Sequence, residues 1–417
     1  MLARARTALE VDLDQVSARR GLIGALIVLY GLIWLGQYVP FTLPDFFGLE
    51  PTAAQIAEAG GDPVVAAAAA GDDGRRIGWI LILFAYTFVA SVLPVWLLLQ
   101  PRDYVNGHQL FVALGIISLG VVVTNPPVLA PAVNLALPAD APSWFPLLFI
   151  TIACGAISGF HGLVASGTSS KQLDRETDAR YVGYGGALGE GALALTSILA
   201  TTAGFALYVG ADGWQAHYSS WASASSGATA AFVNGVGVLA EGVGIPHAVA
   251  TIFAAVVVIS FAATTLDTSV RLQRYIIAEL GAEYGVKAVQ NRWLATFIAV
   301  TSCGLLALGL DRGAGGMRLW PLFGTTNQLL AGLSLLILTL FLWRLRRPIW
   351  ISLVPMAFLL FMTTWAMVLN LLRFMHDSET MLLGVGGAIF ALELWLLFEG
   401  VAAVRRIRAA EPAPPTS

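Results

Sequence analysis

Apolar residues run along this chain in ten long blocks, at about 21–39, 77–99, 108–125, 145–165, 184–209, 248–266, 293–310, 321–342, 349–370 and 381–403. A helix needs about 20 mostly apolar residues to cross a bilayer. Each block therefore predicts a membrane span, and together they predict an all-α, polytopic bundle of about ten transmembrane helices. The pattern divides the chain into an N-terminal segment at 1–20, a membrane domain at 21–403 and a disordered tail at 404–417. Residues 40–76, acidic and with an Ala/Gly tract, and residues 210–247, rich in Ser, Ala and Gly, read as two outer loops. Trp214 and Trp221 suit interfacial anchors in the second. In "ASVLPVWLLLQPRDY" Pro94 is expected to kink the second span and Pro101 to stop it.

Composition agrees with the pattern. Only 12% of the 417 residues are charged and 57% are apolar, against about 25% charged in soluble domains. The mean hydropathy is +0.75. The net charge of −3 and the absence of a basic patch point away from nucleic acid. Cys154 and Cys303 lie in separate apolar blocks, which suits packing better than a disulfide or a metal site. Lys and Arg placement sets an orientation. Eighteen of the 23 fall at the N-terminus, in alternate loops and in the tail, and five (Arg75, Arg76, Arg312, Arg318 and Arg373) fall opposite. Both termini are thus expected in the cytoplasm.

Against this background the polar residues inside the blocks are conspicuous. In "FITIACGAISGFHGLVASGTSSKQL" glycines punctuate the fourth span, and Ser158, His161, Ser166 and Thr168 line its inner half. Backbone at membrane depth must be hydrogen-bonded, so an unwound segment survives only against protein or a watery cavity. Transporters use such breaks to bind substrates and ions, although Gly159 and its neighbours also suit close helix packing. An intramembrane histidine is expensive to keep, which favours function for His161. Glu190 in "RYVGYGGALGEGALAL" falls about two turns into the fifth span. There it is either a desolvated carboxyl that exchanges protons near neutral pH or a structural acid.

Three further segments carry polar side chains. "FAATTLDTSVRLQRY" offers Thr264, Asp267, Thr268 and Arg271 as a cation, substrate or gate site, with Asp267 alternatively an N-cap near the membrane boundary. "LWPLFGTTNQLLAGL" places Asn327 and Gln328 after Pro321 and Gly324, which suits a discontinuous helix or a polar interhelical contact. Arg102 and Asp103 read as an interfacial pair, and Glu393 as a cavity group or a bundle contact. The serine–histidine spacing of "GAISGFH" lacks a recognisable oxyanion hole, so hydrolase chemistry is not expected. Neither a phosphate-binding loop nor a Cys/His ligand cluster occurs, so no ATPase, cofactor or metal chemistry is expected. Mixed hydroxyls, imidazole and carboxyl fit coupled transport better than a selective channel.

Taken together, "LPVWLLLQPRDY", "FPLLFITIACGAISGFHGLVASGTSSKQL", "VGYGGALGE", "TTLDTSVRLQRY" and "LWPLFGTTNQLLAGL" resemble the carbon starvation protein A (CstA) family, in its order, from about Ala3 to the ninth span. The resemblance implies an inner-membrane transporter induced when carbon is scarce, taking up peptides or, with protons, pyruvate. It also implies a relation to the amino acid–polyamine–organocation transporters, whose core is two inverted five-helix repeats. Ser158, Gly159, His161, Ser166, Gly167, Thr168 and Lys171 match its central motif. Glu190, Asp267, Thr268, Arg271, Asn327 and Gln328 match later ones. Members of the family usually carry further spans and a "GAGP"-type motif upstream. The expectation is therefore a truncated product, a misplaced start or half of a two-chain transporter, whose second chain would supply the missing spans.

The reading so far is a proton-coupled importer of a small substrate, pyruvate or a short peptide, in contact with membrane lipid. Its alternative is a non-transporting membrane subunit or scaffold. Ser158, Gly159, Ser166, Thr168, Asn327 and Gln328 are the expected substrate-binding residues. His161 and Glu190 are the expected proton-coupling pair, and Thr264, Asp267, Thr268 and Arg271 the expected gate or ion site.

Overall fold

A computed structural model describes residues 21, 23–39, 41–60, 62–134, 137–309 and 311–410. Among them the regular elements are all helical. Eight helical stretches are long and apolar enough to cross a membrane, and eight of the ten predicted spans overlap them, the second running across the helix end at Val92. The other two coincide with shorter apolar helices, Ile23–Gly36 and Arg292–Leu308. The residues fall into two compact units. The predicted N-terminal segment, 1–20, lies outside the described residues.

The first unit comprises Met1–Ala141 and Ala192–Gly313. Its helices begin with α1 (Ile23–Gly36), α2 (Pro63–Val92) and α3 (Val95–Thr124). Ile33 of α1 packs with Ala113 of α3 in one core cluster. The predicted first outer loop stops earlier than expected, because α2 starts at Pro63, where Asp62 caps it by accepting from Val64 and Val65 N–H. Proline at the first helical position suits that start, since its missing N–H would have had no intrahelical partner. Arg75 and Arg76 then pair one turn back with Asp72 and Asp73 in the third and fourth turns of α2, which adds modest support to that charged stretch.

Pro94 ends α2, as its fixed φ and its constraint on Leu93 require. Pro101 does not stop the chain, and α3 runs through it to Thr124. A proline inside a helix forfeits one backbone bond, whereas ending the helix at membrane depth would strand several groups.

The second part of the first unit starts in α6 (Asp178–Leu199), which passes through a wide turn at Ala200–Gly204 into α7 (Phe205–His217). The predicted second outer loop instead contains α8 (Ala228–Glu241), whose Ala231, Gly235, Val236 and Leu239 are buried. A Cβ on Gly235 would fall on the Ala200 carbonyl oxygen, so the helix can lie there only because that residue is glycine. With 14 residues rich in glycine and alanine, α8 gives too short and too weak an apolar signal to read as a span. The 37-residue α9 (His247–Glu283) and the shorter α10 (Arg292–Leu308) complete the unit. Ile117, Ala200, Val236, Leu239 and Ala254 form its main core.

The second unit comprises Pro142–Gly191 and Ala314–Ser417. It contains α4 (Phe149–Ala156), α5 (Gly159–Gly167) and the first part of α6. Three long helices follow: α11 (Trp320–Arg344), α12 (Trp350–His376) and α13 (Thr380–Ala410). Leu322, Met367, Phe374 and Leu382 form its core. α11 is continuous, and Pro321 sits harmlessly in its first turn, so the discontinuity considered there is absent. α13 extends past position 404, where the sequence suggested a disordered tail, and residues 411–417 lie outside the described ones.

Candidate functional site

In the second unit the predicted helix break is real. α4 ends at Ala156, Ile157 and Ser158 are extended, and α5 starts at Gly159. A new helix exposes its first N–H groups, which at membrane depth need partners. Ser158 Oγ accepts from His161 N–H at 3.2 Å as an N-cap, and Asn327 Oδ1, reaching from α11, accepts from Phe160 N–H at 2.9 Å. Asn327 Nδ2 donates to Cys154 Sγ at 3.1 Å. The approach of α5 to α11 depends on Gly159. A Cβ there would sit 2.6 Å from the Asn327 carbonyl oxygen and collide with Leu330.

The six expected substrate-binding residues thus divide. Ser158 and Asn327 spend their oxygens on the break, and Gly159 permits its packing. Ser166 donates back to the Gly162 carbonyl at 2.9 Å. Thr168 Oγ1 and both amide atoms of Gln328 are buried without a partner, which leaves them the chemically available members.

His161 follows the break by less than one turn, and its Nε2 lies 3.6 Å from Glu190 Oε1 on α6. The distance is long for a direct hydrogen bond, so proton exchange needs a small closure or one bridging water. The side chains are 48% and 43% exposed, so packing of this chain does not supply the desolvation expected for Glu190. Cys154 and Cys303 are free thiols.

The first unit holds a second polar cluster. Asp267 is not a helix cap but lies inside continuous α9, fully buried. It forms an ion pair with Arg102 of α3, and Tyr86 O–H of α2 donates to its Oδ2 at 2.9 Å. Arg102 Nη1 also donates to the Tyr86 oxygen at 3.0 Å. The sequence paired Arg102 with its neighbour Asp103, whose oxygen is 3.7 Å away, so the distant aspartate is the nearer partner. A buried ion pair holds only when further hydrogen bonds compensate lost hydration, and Tyr86 supplies one. Thr264 donates to the Ser260 carbonyl at 2.9 Å and accepts from Asn106 Nδ2 at 2.5 Å. Thr268 is buried on the same helix.

Arg271, 2% exposed, is one turn beyond Asp267 and repairs the proline break. Pro94 has no N–H to give the Ala90 carbonyl, and Arg271 Nη2 donates to that oxygen at 2.5 Å. Its Nη1 donates to the Leu93 carbonyl at 2.9 Å. Arg102 and Arg271, counted as loop charges in the sequence, are therefore interior groups. Tyr86 was missed because a single polar residue in an apolar block carries no spacing signal, and Asn106 because it falls between two predicted spans. In the second unit Asn370 Nδ2 donates to Thr325 Oγ1 at 2.8 Å in a buried pair, and half-buried Thr364 meets buried Glu393.

Membrane-length helices, one of them interrupted and followed by a histidine–carboxylate pair, define a polytopic helical membrane protein with a discontinuous helix. The chain belongs to the carbon starvation protein CstA family, whose model matches residues 18–211 and 209–366. It is 33% identical to the pyruvate/proton symporter BtsT of Escherichia coli (strain K12), over 69% of this chain and 50% of that protein. It is 34% identical to the peptide transporter CstA of Mycobacterium tuberculosis (strain ATCC 25618 / H37Rv), over 65% of this chain and 43% of that protein. With the peptide transporter CstA of Helicobacter pylori (strain J99 / ATCC 700824) the identity is 33%, over 73% and 51%. The chain spans about half the length of these curated relatives. No solved structure matches it.

Proposed function

We propose that the chain is a proton-coupled secondary importer of pyruvate or a short peptide, in the inner membrane with both termini in the cytoplasm. The observation that carries this reading is the interrupted fourth span, with His161 and Glu190 3.6 Å apart just beyond the break. The names of the relatives support the substrate class. His161 and Glu190 exchange the coupling proton. Gln328 and Thr168 offer hydrogen bonds to substrate, and Ser158, Gly159, Asn327 and Ser166 shape the break that presents them. In the other unit Asp267 and Arg102 act as a gate latch, which Thr264, Thr268 and Arg271 hold in register. Any second chain carrying further spans would join as a membrane partner.

The test is uptake of labelled pyruvate into proteoliposomes of the 417-residue chain, with and without an imposed pH gradient and with unlabelled peptides as competitors. Gradient-driven accumulation, lost in Glu190→Gln while exchange persists, is the expected result. Accumulation unchanged by that substitution removes Glu190 from coupling. Absence of pyruvate and peptide uptake by folded protein overturns the proposal for this chain alone.

A further inference from the structure

Glu393 lies on α13, beyond the residues that match the family model, and the mechanism above does not use it. It is 1% exposed. Its Oε1 lies 2.5 Å from Thr364 Oγ1, and its Oε2 is buried without a partner. Thr364 Oγ1 also lies 2.7 Å from the Leu360 carbonyl oxygen. Two oxygens at such separations need a proton between them. The Leu360 carbonyl has none to give, and the Thr364 hydroxyl has one. If that proton serves Leu360, the proton in the other contact belongs to Glu393. One hydroxyl shared between two acceptors gives a longer second contact, as neighbouring Thr363 shows with 2.8 and 3.1 Å to the carbonyls of Leu359 and Leu360.

The charges around Glu393 lead to the same conclusion. α13 packs against α11 and α12. Gly386 meets Leu322 and Gly400 meets Leu336, so α11 and α13 run parallel, and Glu393 stands level with Leu329, next to fully buried Gln328. The cation nearest that level on α11 is Arg344, about 22 Å along the axis. On α12, Arg373 is about 13 Å and His376 about 18 Å from Thr364. On α13 itself, Glu399 is about 9 Å and Arg405 about 18 Å away, with Arg406 a residue further. None of the ion pairs among the described residues includes Glu393. A buried carboxylate with no counter-ion is strongly disfavoured, and the acid form is the alternative.

We propose that Glu393 is a proton-binding site in the core of the second unit, occupied at neutral pH, with the acid O–H donated to Thr364. It is separate from the His161–Glu190 pair, and its occupancy does not depend on which substrate is carried.

Infrared difference spectroscopy of the full chain in lipid bilayers tests this without reference to transport. An ordinary glutamate, with a pKa of about 4.3, is ionised at pH 7. The wild-type minus Glu393→Gln spectrum at pH 7 is expected to contain a protonated carboxyl C=O stretch. In Thr364→Val, that band is expected to move to higher frequency, because the acid loses its acceptor. If the difference contains carboxylate stretches instead, or no carboxyl band at all, the proposal is overturned. Should Glu393→Gln fail to fold, the Thr364→Val spectrum decides alone: a shifted acid band supports the proposal and an unshifted spectrum refutes it.

Discussion

The hydrogen bond from Phe160 N–H to Asn327 Oδ1, 2.9 Å long, satisfies one of the N–H groups that the helix break exposes. Asn327→Leu removes the acceptor and opens no cavity, because leucine keeps the branched heavy-atom skeleton with larger end groups. The stranded N–H sits against a buried side chain, and an unmet buried donor costs about 1–3 kcal/mol. Loss of the Asn327–Cys154 contact adds little, because sulfur is a weak acceptor. A net loss of about 2 kcal/mol is expected, located at the break.

Asn327→Asp is the informative control. It keeps an oxygen at the same place, and a negative charge at a helix N-terminus is favourable. Native-state hydrogen exchange of the purified protein is the assay, read on a peptide that contains Phe160. A local loss of about 2 kcal/mol raises exchange there roughly thirtyfold. Asn327→Leu is expected to show that rise, and Asn327→Asp a much smaller one. Equal protection in wild type and Asn327→Leu would refute the capping argument. So would equal deprotection in both variants, which would assign the effect to the amide nitrogen.

Arg271→Met should destabilise the first unit by about 3 kcal/mol, since two carbonyls at the proline break lose a charged donor. Pro94→Ala in that background returns an N–H to Ala90 and should recover part of the loss in thermal unfolding, whereas an additive effect would show that Arg271 acts elsewhere. Gly235→Ala should lower folded yield through overpacking of about 1–3 kcal/mol or more, and wild-type yield and melting temperature would contradict the close approach to Ala200. Asp140, held below the ordinary carboxylate range by the Trp221 and Ala222 N–H groups, stabilises the turn they begin. That stabilisation is complete above the unfolded value of 3.8 and is lost as pH falls through the depressed folded value, so exchange at Trp221 and Ala222 should rise only under acid conditions and at all pH values in Asp140→Asn. His161→Ala should reduce uptake without lowering the amount of protein in the membrane; a loss that merely follows poor insertion would make the residue structural.

The sequence by itself determined the helical membrane class and the approximate place of the long helices, and it marked the fourth span as a place for a break, whose position after Ala156 came from the structure. All but that position follow from local information: lengths of apolar runs, and glycine, serine and histidine where leucine would otherwise stand. The family motifs were legible for the same reason. What Pro94 and Pro101 would do was only half legible, because a proline specifies a lost bond and not what replaces it. Arg271, 177 residues further along the chain, replaces the bond at Pro94. The pairing of Arg102 with Asp267 over neighbouring Asp103, the capping role of Asn327 and the contact of Thr364 with Glu393 were likewise invisible. Each joins residues far apart in the chain, and only tertiary packing decides which buried polar groups meet. The protein interior then favours those meetings, because a polar group left there without a partner is costly.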